Sequence, residues 1–144
     1  MDAAFRVTLI VTCEEAVIRS FAALDGGRMN EVADGFAEDG IWHRQGAALC
    51  GPAGVAQALA ARPAGRVTAH LIQNFVADFD DEQAARVRYV VLTYRHDAPE
   101  GDVAPAIAPL GQPYSIAAYE DRMRRSNETW LVVERRSRNI FVNE

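Results

Sequence analysis

Two residue types able to move protons near neutral pH stand at positions where a fold could bring them into a pocket. The stretch Arg66-Val67-Thr68-Ala69-His70-Leu71-Ile72-Gln73-Asn74-Phe75 predicts a long strand. Residues two apart share a strand face, so His70, Ile72 and Asn74 should point one way and Leu71, Gln73 and Phe75 the other. A histidine and an amide flanking an isoleucine suit a pocket wall, because a core face carries fewer polar groups. Histidine titrates near neutrality and can both take and give a proton. Asp25 lies four residues after Phe21 on a predicted helix, near its inward face. It reads either as a carboxylate aimed at a cavity or as an ordinary helix-end aspartate before Gly26-Gly27. Proton abstraction beside a carbonyl, followed by elimination or isomerisation, needs a base and a donor for the enolate oxygen. Tyr94, Asn74 and Arg44 are the candidate donors, and Trp42 and Ile72 are expected beside them as substrate-binding walls.

The elements that must position these residues follow from period and punctuation. Thr12-Cys13-Glu14-Glu15 has the pattern of a capping box, and Cys13, Val17, Phe21 and Leu24 recur at helical spacing up to the Gly26-Gly27 stop. A second short helix should show Met29, Val32, Ala33 and Phe36 on one face and end at Ala37-Glu38-Asp39-Gly40. Ile41–Arg44 then reads as a short strand, Gln45-Gly46 as a turn, and Cys50 as the close of another extended piece. Gly51-Pro52 opens a third helix, which packs through Val55 and Leu59 and stops at Arg62-Pro63. Residues 66–80, 83–97, 113–126 and 129–142 predict four long strands, with turns at Asp80-Asp81-Glu82 and Asn127-Glu128. The proline-bearing segment 98–112 reads as an irregular loop or lid. Helices followed by an antiparallel meander define the α+β class, here as one domain over residues 1–144. Long strands twist and coil, so three helices covering part of the concave side should leave a cone-shaped pocket.

Composition removes several classes of function. With 49% hydrophobic and 24% charged residues, the chain is globular rather than disordered. Its net charge of -5 argues against a dedicated nucleic-acid binder. The apolar run Val7–Val11 is short and follows Asp2, which does not fit a signal peptide, and no stretch is long enough for a membrane span. Cys13 and Cys50 are too few for a disulfide framework, so a cytoplasmic protein with reduced thiols is expected. His43, His70, His96, Cys13 and Cys50 lack metal-ligand spacing, and neither a nucleophile elbow nor a phosphate-binding glycine loop is present. No metal and no cofactor are therefore expected. The arginines at 122, 124, 125, 135, 136 and 138 are interleaved with Glu120, Asp121, Glu128 and Glu134, and read as a solvated or dimer-facing sheet surface split between two faces, with the alternative that one of them binds an acidic substrate inside the cone. Trp42, Phe75, Phe79, Tyr89, Tyr94 and Trp130 read as core or pocket walls, which favours a small apolar or aromatic ligand.

Several stretches in order carry a family resemblance. They are Phe21–Asp25, Val32-Ala33-Asp34-Gly35-Phe36-Ala37-Glu38-Asp39-Gly40-Ile41-Trp42, the Gly-Pro helix, Val67–His70 and Thr129–Arg136. Together they resemble a SnoaL-like domain of the nuclear-transport-factor-2-like superfamily over nearly the whole chain. The resemblance implies a cone-shaped α+β barrel, with three N-terminal helices on a strongly curved, mostly antiparallel sheet, and a homodimer formed through the outer sheet face. Members resembling scytalone dehydratase carry an aspartate at the end of the first helix and a histidine early in the first long strand, positions matched by Asp25 and His70. Their second histidine is not reproduced: Tyr94 falls there, with His96 two residues on. Where ketosteroid-isomerase-like members place a general-base carboxylate, this chain has Arg44, which cannot take a proton at neutral pH. The expected function is a cofactor-independent lyase, dehydratase or isomerase acting on a small cyclic or aromatic metabolite through an Asp25–His70 acid/base pair. The competing expectations are a non-catalytic small-molecule binder and an accessory subunit resembling the small subunit of ring-hydroxylating oxygenases.

Overall fold

In the computed structural model, which describes residues 1–144, the first helix, α1, spans Ala3–Asp25 and so begins well before Thr12. The Asp2 carboxylate caps it by accepting from the Phe5 amide at 2.8 Å. The buried face Leu9, Cys13, Val17, Phe21, Leu24 runs straight through the expected capping box, so helical period extends back into the apolar run. Thr12 is interior to the helix. Its hydroxyl donates back to the Thr8 carbonyl at 2.9 Å and accepts from the Trp130 indole Nε1–H at 3.1 Å.

Helix α2 is Met29–Asp34 and stops at Gly35. Phe36, expected on that helix, instead opens strand β1, Phe36–Arg44, and Ala37–Gly40 is strand rather than helix terminator. The reason is pairing with the last strand: Phe36 lies parallel to it opposite Val132 and Ile41 opposite Glu134, with a register break between them. Gly40 sits in that break: a Cβ there would lie 2.6 Å from the Val132 carbonyl oxygen and 2.9 Å from that of Ala37. The turn at Gln45-Gly46, both at positive φ, joins β1 to β2, Ala47–Cys50, and α3 follows over Gly51–Leu59 with its proline in the first turn.

Four long strands complete the chain: β3 Arg66–Asp81, β4 Ala84–Asp97, β5 Ser115–Ser126 and β6 Thr129–Val142. The sheet order is β2-β1-β6-β5-β4-β3, and only the β1–β6 pair is parallel. This is the expected α+β architecture, with helices on one face of a long-stranded sheet. The sheet stays open, with β2 and β3 as its edges, so the barrel is not closed. Between β4 and β5 the segment 98–114 forms no helix or strand. The core joins Leu9, Cys13, Val17 and Phe21 of α1 with Val55 and Leu59 of α3 and the sheet residues Val87, Val91, Met123, Trp130 and Val132. No helix is long and apolar enough to cross a membrane.

A local irregularity in β3 redirects one expected site residue. Asn74 has φ +57, and the β3–β4 register slips between Gln73 and Val76. Side chains alternate as expected through Thr68, His70 and Ile72, but beyond the bulge the inward set is Phe75, Ala77 and Phe79. Phe75, expected opposite His70, therefore faces the core and stacks near Tyr89 at 6.0 Å between ring centroids. Asn74 turns outward beside a surface hollow rimmed by Arg88, Glu120 and Arg136.

The arginine-rich strands do split between two faces. Arg122, Arg124, Arg136 and Arg138 are exposed, whereas Arg135 is 1% exposed and Asp121 0%. The register sets Asp121 beside Arg135 across β5 and β6. Arg135 donates from Nε and Nη2 to the two Asp121 oxygens at 3.0 and 2.9 Å, and the Tyr89 hydroxyl donates to the same carboxylate at 2.8 Å. Arg135 is thus a core residue and not part of a solvated surface. Burial opposes its charge, but the Asp121 carboxylate more than offsets that and raises its pKa above the ordinary arginine value.

Candidate active site

The end of α1 meets the start of β3 at a cavity of about 750 Å³. Asp25 is the last residue of α1, and the helix ends there, with the Gly26 N–H bonding back to the Ala22 carbonyl and the Gly27 N–H to that of Leu24. The carboxylate projects onto β3 and accepts from three donors. The Thr68 hydroxyl donates to Oδ1 at 2.7 Å, the His70 backbone N–H to Oδ2 at 2.8 Å, and His70 Nδ1 to Oδ1 at 2.5 Å. Burial on its own would raise the Asp25 pKa, but the bonds and charge from His70, with help from Thr68, outweigh it and hold the pKa below the usual carboxylate value.

This pairing determines the histidine tautomer. An ionised carboxylate only accepts hydrogen bonds, so Nδ1 carries the hydrogen. In the neutral ring the lone pair is then on Nε2, which has no protein partner, and His70 lines the cavity. The Phe21 ring, one helical turn before Asp25, lies 5.3 Å from the imidazole and backs it. Arg62 extends the chain of donors: its Nη2 donates to the Thr68 hydroxyl at 2.9 Å, and Thr68 donates onward to Asp25. Thr68 was within reach of sequence reasoning, being two residues before His70 on the same strand face. Arg62 carried no such signal, because it lies in the connection after α3.

The other expected site residues divide. Trp42 and Arg44 line the cavity. Ile72 shares the His70 face but packs against the core instead. Asn74 is turned away by the bulge. Tyr94 lies on the opposite face of β4, beside Ala69, His96 and Leu110 of the 98–112 loop. The pairing register explains this: Thr93 is directly across from His70, and Arg95 across from Thr68, so the inward positions of β4 are 93 and 95. Of the three candidate donors for an enolate oxygen, only Arg44 faces the cavity.

The cavity wall is also more cationic than an apolar ligand would require. Phe75, Phe79, Tyr89 and Trp130 are spent on the core. Arg44, Arg62, Arg66 and Arg95 line the cavity, with Thr93 and Asn139 among its neutral polar groups. Arg66 and Arg95 share Asp97, each at 2.7 Å, and their hydrogen bonds hold the Asp97 carboxyl at a pKa of about 2. Arg44 lies over the Trp42 ring at 5.3 Å and has no carboxylate partner. Burial lowers its pKa; Tyr119 opposes this in part, and the charges of Arg66 and Arg95 add smaller lowering effects. No group of three or more His, Cys, Asp or Glu side chains is placed to hold a metal ion.

A family model described as a SnoaL-like domain matches residues 6–136. A search of curated proteins finds no match. Among solved structures, the chain resembles a candidate scytalone dehydratase from Novosphingobium aromaticivorans at 19% identity and a TM-score of 0.79, over 97% of this chain and 89% of that one. A type 2 hexachlorocyclohexane dehydrochlorinase is similar at 15% identity and a TM-score of 0.76, over 97% and 90%. A Catenulispora acidiphila protein in complex with S-DNPA is similar at 19% identity and a TM-score of 0.70, over 92% and 94%. At these identities the likeness is one of fold.

Proposed function

Because the chain belongs to the SnoaL-like domain family, we propose that its cavity binds a small molecule and that Asp25 and His70 carry out cofactor-independent proton transfer on it, as a lyase, dehydratase or isomerase would. The observation that carries this reading is His70 on the wall of an open cavity, hydrogen-bonded through Nδ1 to Asp25. His70 Nε2 takes a proton from the carbon next to a carbonyl. The imidazolium that forms is stabilised by Asp25, which stays ionised because its pKa is depressed. The proton then returns either to a departing hydroxyl, giving elimination of water, or to another carbon, giving isomerisation. Arg44 is the expected donor that faces the cavity, and it is available to meet an oxygen of the bound molecule. Two of the similar structures bear the names of elimination enzymes, and a third was solved with a small molecule, which agrees with this class of activity.

The test is proton exchange. Wild-type protein is incubated in D2O with a panel of β-hydroxy and α,β-unsaturated carbonyl compounds, and deuterium at the α-carbon is followed by NMR. The wild type should label at least one compound, and His70→Gln should slow that labelling by about 10²–10⁴-fold. Equal labelling by His70→Gln would remove His70 from the chemistry. A ligand that co-purifies and stays unchanged and unlabelled would mark the cavity as a binding site without catalysis.

A further inference from the structure

We propose that the molecule taken by this cavity is an anion, a small carboxylate-bearing compound whose acidic group is held by Arg44. The inference rests on the reading above for the choice of cavity and narrows its substrate class. The chain as a whole has a net charge of -5, yet four of its arginines line this one cavity. The carboxylates within reach offset only part of that charge: Asp25 is bonded to Thr68 and His70, and the single Asp97 is shared between Arg66 and Arg95, so two acids face four arginines. Arg62 bonds to the Thr68 hydroxyl, a neutral group. Arg44 bonds to no acid and no carbonyl, and is steadied only by the face of Trp42.

Like charges gathered at a partly desolvated site repel one another, and the cost falls when an anion enters. The geometry also suits a planar acid. A guanidinium lying on an aromatic face keeps its plane while its N–H edge stays free, and that edge matches the two oxygens of a carboxylate. Arg62, Arg66 and Arg95 add field to the same concavity, which concentrates anions at its mouth. Neutral polar groups, Thr93 and Asn139 among them, remain to meet the rest of the molecule. With the acidic group at Arg44, the body of the ligand lies in the same cavity as His70 Nε2.

Benzoate and its neutral isostere benzamide test this by isothermal titration of the wild-type protein at low and high salt. Benzoate should bind at least about tenfold more tightly than benzamide, and salt should weaken benzoate alone. Arg44→Gln should abolish the preference. If that variant does not fold, the arginine Nε–H resonances of the wild type decide instead: benzoate should shift them and benzamide should not. Equal affinity for the two probes, or a preference that survives intact in folded Arg44→Gln, would overturn the inference. The two proposals separate cleanly. In His70→Gln the benzoate preference should persist while proton exchange is lost. A protein that labels neutral compounds and ignores benzoate would sink this inference and leave the Asp25–His70 reading standing. One that prefers benzoate but exchanges no proton would do the reverse.

Discussion

Asp121 and Arg135 support the site from beneath, and removing one of them should cost far more than removing both. The pair is fully buried, joined by two hydrogen bonds and completed by the Tyr89 hydroxyl. The Arg135 guanidinium lies 5.1 Å from the centre of the Phe21 ring, which backs His70, and 5.3 Å from that of Trp42, which carries Arg44. In Asp121→Asn the carboxylate charge is lost while the shape is kept, and Arg135 becomes an uncompensated charge among aromatic rings. Breaking a buried pair in this way costs about 3–5 kcal/mol. Over 144 residues the unfolding entropy is about 0.3 kcal/mol/K, so a loss of about 4 kcal/mol lowers Tm by about 13 °C. The double variant Asp121→Leu with Arg135→Met removes both charges, leaving only the Tyr89 hydroxyl to satisfy, and should lie within about 2 kcal/mol of wild type. Guanidinium denaturation and calorimetry measure both. A single variant losing under about 1 kcal/mol, or a double variant less stable than Asp121→Asn, would overturn this account of the pair.

Other expectations follow from particular contacts. The depressed Asp25 pKa means that its contribution to stability is fully present above the unfolded value of about 3.9 and is lost as pH falls through the lower folded value. The stability gap between wild type and Asp25→Asn in urea melts should therefore shrink below about pH 4, and a gap unchanged in acid would contradict the assignment. Of the two thiols, Cys13 is buried and burial pushes its pKa up to about 12, whereas Cys50 is exposed. A disulfide reagent such as DTNB should titrate one thiol in the native protein and both after denaturation; two fast native thiols would count against the packing of α1. Gly40→Ala forces a Cβ against two backbone carbonyls that cannot move independently of the β1–β6 pairing. It should cost about 2–4 kcal/mol in a chemical melt, and a neutral result would show that β1 passes Val132 differently.

Sequence alone determined what depends on local period and punctuation. The helical repeat ending at Gly26, the four long strands and the helix-then-meander order together imply the α+β class, because each can be read from residues a few positions apart. Asp25 and His70 were within reach for the same reason: one marks a helix end, and the other lies two residues from its strand-face neighbours. Tertiary structure decided what depends on phase and register. One residue at positive φ, Asn74, inverts the parity of β3, so the face inferred from His70 stops at Ile72. Tyr94 and Thr93 differ by one position, and only the β3–β4 register says that position 93 faces His70. Asp121 and Arg135 are far apart in sequence, and the β5–β6 register makes them neighbours buried from water. The cationic cavity arises in the same way. Arg44 comes from β1, Arg62 from a connection, Arg66 from β3 and Arg95 from β4, so no spacing announces them, and only folding brings their charges to one wall.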